Sequence, residues 1–167
     1  MRHWLPMLLV LPLAHCSCQR QPEPAPEPAA LHAETVDPAA AAAAEAARAT
    51  AEAGRQAVAT VHAYLGALPG TDRPRADAYW SGGGPGDPAG DAVLRGHMPG
   101  LRGMRIENDR PQALDRQSPP RAYEVPVRLR LDDDAGSLRL RGYYRLRARI
   151  DGGGWEITSA SLQPAFD

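Results

Sequence analysis

Arginine is the residue whose type and spacing most invite chemistry in this chain of 167 residues. Arg128 and Arg130, then Arg139, Arg141, Arg145 and Arg147, alternate with mostly apolar neighbours, so in extended backbone they share one face of a sheet. A guanidinium offers a planar fork of donors that matches phosphate or carboxylate. Pairing Leu129 with Leu140 in a hairpin sets Arg128 opposite Arg141, Arg130 opposite Arg139, and Glu124 opposite Arg145. The next hairpin is expected to set Arg149 opposite Glu156. Opposed like charges weaken a sheet unless something anionic lies between them. This face is therefore a candidate site for phosphate-bearing lipid headgroups, lipopolysaccharide or an acidic protein patch. The plainer alternative is a solvated arginine face that protects the sheet from aggregation.

Proton abstraction needs a titratable group held in an apolar site. The residues expected to face inward are Met104, Ile106, Tyr123, Val125, Val127, Leu129, Leu138, Leu140, Tyr144, Leu146, Ile150, Trp155, Ile157 and Ser159, with no carboxylate or imidazole among them. Asp77, Asp91, His62 and His97 fall on the helical part and are expected on its solvated surface. With no such group expected inward, no catalytic residue is assigned, whereas an Asp or His buried inside a closed apolar cone would turn the reading towards catalysis. His62 and His97 lack a neighbour at ligand spacing. The acidic run beginning at Asp132 has Tyr143 where a calcium loop has its bidentate Glu, and is expected to be a solvated hairpin tip. Residues 81–86, Ser-Gly-Gly-Gly-Pro-Gly, lack the Gly-Lys-Ser/Thr ending of a phosphate loop. Neither metal nor cofactor is expected.

The 19 basic residues are all arginine, and 20 carboxylates bring the net charge to -1, which excludes a nucleic-acid binder driven by bulk charge. Residues 121–149 nevertheless carry eight arginines against four acids. Mutational bias in a GC-rich genome accounts for arginine in place of lysine, but not for this clustering.

At the N-terminus, Arg2 and His3 precede an apolar run from Leu5 to Ala14, the pattern of a signal peptide over residues 1–15. A membrane-spanning helix needs about 20 apolar residues, roughly twice this run. Leu13-Ala14-His15-Cys16 resembles the bacterial lipobox, with His15 standing where the motif has a small residue. The resemblance implies diacylglycerol on Cys16, with Cys18 the alternative, and Ser17 in the next position implies sorting to the outer membrane. The implied address is the cell envelope, lipid-anchored and facing the periplasm. Both cysteines fall at this junction, so the domain has no internal disulfide.

Residues 16–51 read as the lipidated cysteine, a proline-rich tether at 21–30 spanning on the order of 30 Å, and an alanine-rich helical stalk. Asp37 and Pro38 suit the start of that helix. The folded domain is expected over 52–167. Val58, Val61, Leu65 and Leu68, with Tyr64 beside them, form one helical face ended by Pro69-Gly70. Short helices are expected at 74–81 and 87–97. Strands follow around 104–107, 123–131, 138–150 and 155–162, with Pro126 required at an edge or a bulge. Helices followed by an antiparallel meander give an α+β fold, with helices packed on one face of a curved sheet.

Tyr64-Leu65, Tyr79-Trp80-Ser81 with its glycines, Tyr-Glu-Val-Pro-Val at 123–127, Gly142 to Arg147, and Gly154-Trp155-Glu156-Ile157 carry a further resemblance. Across residues 52–163 the chain resembles uncharacterised proteobacterial lipoproteins with a nuclear transport factor 2-like, cystatin-like cone. The resemblance implies a cone pocket lined by Tyr64, Trp80, Tyr123, Tyr144 and Trp155. That superfamily includes ketosteroid isomerase-like enzymes, dehydratases, scaffolds and binders, so the fold alone does not choose among them. The inward residues favour a non-catalytic ligand-binding or protein-interaction module over a small-molecule enzyme. Its partners would be the membrane, through the anchor, and an envelope protein or anionic headgroup. Homodimerisation stays open.

Overall fold

The computed structural model describes residues 37–86, 89–134 and 136–166. The signal segment, Cys16, Cys18 and the proline-rich tether lie outside the described residues.

Helix α1 (Pro38–Ala67) starts where expected: Pro38 takes the first turn and the Asp37 carboxylate accepts the Ala39 N–H at 2.9 Å. The helix runs without interruption through Gly54, giving a rod of about 45 Å. Its first turns, rich in alanine, are exposed. Further along, Ala57, Val61, Tyr64 and Leu65, with Leu68 at the C-cap, are buried against the sheet, while Val58 is half-buried. Gly54 is needed for a close approach: a Cβ there would sit 3.2 Å from the Pro111 ring and 3.7 Å from Tyr123. Tyr123 also donates its hydroxyl to the Thr50 carbonyl at 3.0 Å, tying the middle of α1 to the sheet. Two one-turn helices follow, α2 (Arg73–Asp77) and α3 (Ala92–Gly96), both shorter than expected.

The sheet has five antiparallel strands: β1 (Leu101–Asn108), β2 (Gln112–Ala113), β3 (Ala122–Asp133), β4 (Gly136–Ala148) and β5 (Trp155–Pro164). Its order is β1-β3-β4-β5, with β2 pairing β3 beyond the end of β1. Pro126 faces the gap between β1 and β2. Asp109 N–H donates to the Pro126 carbonyl there, so the proline nitrogen on the same side needs no partner. Helices α1 and α3 pack on the sheet, giving the α+β arrangement of helices and antiparallel sheet.

The β3–β4 register is the expected one: Leu129 faces Leu140, Arg128 faces Arg141, Arg130 faces Arg139, and Glu124 faces Arg145. The β4–β5 register is not. Arg147, rather than Arg149, faces Glu156, because β4 ends at Ala148 and the Arg149 N–H bonds to Gly154, opening a wider loop. Ile150 consequently lies in solvent at 93% exposure instead of facing inward. A bulge at Thr158 shifts β5 by one residue, so Ala160 and Leu162 replace Ser159 on the core side. The acidic hairpin tip is tethered rather than merely solvated: Asp133 meets His97 at 3.1 Å and Asp134 meets Arg102.

The outer edge of β5 is covered from the helical side. Ser81 N–H donates to Ile157, Ile157 N–H to Tyr79, and Leu162 N–H to Gly90. On β5's inner flank, a Cβ at Gly142 would stand 1.8 Å from the Ser161 carbonyl oxygen, whereas a Cβ at Gly66 in α1 meets nothing within 4 Å. Gly142→Ala should therefore cost at least about 1–3 kcal/mol. Gly66→Ala should add about 0.5–1 kcal/mol. Urea unfolding of the two variants checks the contrast, and equal effects would contradict this strand packing.

Candidate functional site: the buried Asp91 cluster and the arginine face

Asp91 is fully buried, which corrects the expectation that it and its neighbours lie in solvent. It sits at the N-cap of α3 yet makes no capping bond, because its carboxylate turns into the core. Tyr64 of α1 donates a hydrogen bond to Asp91 Oδ2, and the Tyr144 hydroxyl of β4 approaches the same oxygen at 3.4 Å. Arg95, one turn along from Asp91, donates from Nε to Oδ1 at 3.3 Å and from Nη2 to the Tyr64 hydroxyl at 2.8 Å. The same guanidinium pairs with Asp77 at 2.9 Å and lies 5.6 Å from the Tyr64 ring centre. The buried charge is thus paired and hydrogen-bonded, the condition for tolerating it in a core.

His62 and His97 are half-buried, His97 with 38% of its side chain still exposed, and they bond to Asn108 at 3.0 Å and Asp133 at 3.1 Å respectively. Among the described residues no group of three or more His, Cys, Asp or Glu is placed to hold a metal ion.

Aromatic rings fill the space above the sheet. Tyr64 meets Trp80 at 5.7 Å and Tyr144 at 5.6 Å between ring centres, both edge to face. Tyr64, Trp80 and Tyr144, expected as pocket lining, are therefore core residues. Tyr123 and Trp155 pack on each other at 5.4 Å and border two separate surface cavities. One, about 910 Å³, runs between α1 and residues 108–111, with Ala47, Ala51 and Val58 along its helical wall. The other, about 530 Å³, lies beside the β4–β5 loop. A third hollow, also about 530 Å³, opens on the outer face of the sheet. None of these three is lined by Asp91, Tyr64 or Tyr144.

The outer hollow is where the arginines gather. The two strand registers place Arg105, Arg130 and Arg139 abreast on β1, β3 and β4, and set Glu107, Arg128 and Arg141 in the adjacent row. All six line the hollow. Adjacent strands stand about 4.8 Å apart, so like charges sit side by side. Arg128 is balanced by Asp109 at 2.7 Å, which raises its pKa, and Arg105 by Glu107 at 3.2 Å. Arg130 reaches Asp132 at 3.5 Å. Arg145 and Arg147 separate from this group: the first pairs with Glu124 at 2.9 Å and stacks on Tyr143, and the second pairs with Glu156 at 2.6 Å. Alternation with inward Met104 and Ile106 turns Arg105 outward, but its place in the row comes from the β1–β3 register, which is set by tertiary pairing across a long connection.

Comparison with protein families, with curated proteins and with solved structures finds no match.

Asp91→Ala should cost about 1–3 kcal/mol, because it leaves the Tyr64 hydroxyl in the core without its acceptor, while Arg95 keeps Asp77 as a partner. Urea unfolding measures this, and a loss below about 1 kcal/mol would contradict the pairing. Burial first, and the nearby Asp91 carboxylate second, raise the pKa of both Tyr64 and Tyr144. A raised folded-state value means the native state holds those protons more tightly. Stability is then full below the unfolded tyrosine value of about 10 and falls as pH climbs above it. Thermal unfolding followed across that range should show the fall, and Tyr144→Phe should shallow it. An unchanged slope in that variant would count against the assignment.

Proposed function

We propose that this protein is a lipid-anchored cell-envelope module that binds phosphate-bearing anions on the outer face of its sheet, without catalysis. In this reading Cys16 carries the anchor, the outer membrane is its site, and residues 52–167 form a nuclear transport factor 2-like cone facing the periplasm. The observation that carries the binding role is the row Arg105–Arg130–Arg139 beside Arg128 and Arg141, gathered around one hollow. An anion seated there would meet guanidiniums that the register brings side by side, exchange with their exposed ion pairs to Glu107, Asp109 and Asp132, and take bidentate hydrogen bonds.

The alternative, a small-molecule enzyme of the ketosteroid isomerase-like type, draws on the buried Asp91 beside two tyrosines. A catalytic carboxylate must reach its substrate. Here Tyr64, Tyr144 and Arg95 already occupy the carboxylate, and none of the three cavities touches it. Binding is therefore the better-supported reading.

Calorimetric titration with sodium tripolyphosphate tests it. Binding should weaken steeply with salt and be lost when Arg128, Arg130, Arg139 and Arg141 are all changed to Gln. Unchanged binding in that variant would sink the reading. For the anchor, Cys16→Ser should abolish labelling by a fatty-acid analogue in cells, whereas labelling that persists would move the site to Cys18.

A further inference from the structure

The arginine hollow has an apolar neighbour. Its wall on the β5 side is Ala165, whose N–H bonds to the Arg139 carbonyl at 2.9 Å and so keeps the C-terminal segment beside β4. The next residue is Phe166, the only phenylalanine in the chain, and it is 93% exposed. One exposed apolar residue is ordinary on a protein surface. This one follows directly on the wall of the most arginine-rich face of the molecule. A small soluble anion would satisfy the arginines and leave the ring in water. An anionic bilayer satisfies both, with phosphates at the guanidiniums and the ring among the headgroups and upper acyl chains.

We propose that the outer sheet face docks on an anionic phospholipid surface, with Arg105, Arg130, Arg139 and Arg141 against phosphates and Phe166 inserted beside them. The docking rests on the anion-binding reading of this face and adds to it an orientation and an apolar anchor. In that orientation the helical layer, on the opposite side of the sheet, faces away from the bilayer.

The sole phenylalanine makes the test site-specific. The full chain carrying Cys16→Ser and Cys18→Ser is labelled with 4-fluorophenylalanine, placing its one fluorine label at residue 166. Association through the N-terminal segment alone would broaden the signal by slowing tumbling but leave residue 166 open to a water-soluble quencher, so shielding is the site-specific readout. Mixed phosphatidylglycerol–phosphatidylcholine vesicles should shift and broaden the fluorine signal and shield it from a water-soluble paramagnetic quencher. Phosphatidylcholine vesicles alone should do neither. Changing Arg105, Arg130, Arg139 and Arg141 to Gln should restore the solution signal on the mixed vesicles, and high salt should do the same for the unaltered face. Monomeric dihexanoylphosphatidylglycerol should bind the arginines while leaving the signal open to the quencher. If that soluble lipid binds but the vesicles leave residue 166 unshielded, bilayer docking is overturned and the anion-binding reading stands. If neither binds, both fall.

Discussion

A fully buried carboxylate organises this fold. Asp91 reaches α1 through Tyr64, β4 through Tyr144 and its own short helix through Arg95, so one buried charge ties three elements of the core together. Such a group is costly to bury and still more costly to leave unpaired, which penalises arrangements that separate these elements. The aromatic rings pack around it, and Arg95 extends the tie to Asp77 at the end of α2. The same contacts that stabilise the cluster occupy the groups a reaction would need.

Much of the scaffold was legible in the chain because its signals are local. The face bearing Val61, Tyr64, Leu65 and Leu68 follows the helical period, and the alternation from Tyr123 to Leu131 and from Leu138 to Leu146 fixes which residues face the helices. Pairing Leu129 with Leu140 across the acidic loop then sets the register, which is why the opposed arginines could be paired from sequence. Other features depend on partners far away. Asp91 lies 27 residues from Tyr64 and 53 from Tyr144, and no local pattern distinguishes such an Asp from a solvated helix cap. The bulge at Thr158 and the wide loop after Ala148 each change a register by means that alternation cannot signal. Gly54 was similarly ambiguous. Glycine in a helix suggests a weak point, but here it admits Pro111 and Tyr123 against the helix backbone.

The arginine face has the opposite character from the core. Its charges stay largely in water, where ion pairs with Asp109, Glu107 and Asp132 contribute little to stability and are easily exchanged. Arg145 and Arg147, set beside half-buried Glu124 and Glu156, belong more to the sheet than to any ligand.

The proposal that anions bind the outer face rather than the buried cluster is tested most directly by an amide chemical-shift map recorded as tripolyphosphate is added. The account predicts changes concentrated at Arg105, Arg128, Arg130, Arg139 and Arg141, with Tyr64, Asp91 and Tyr144 still. Changes centred on Asp91 and the two tyrosines, with the arginine strands unmoved, would contradict it.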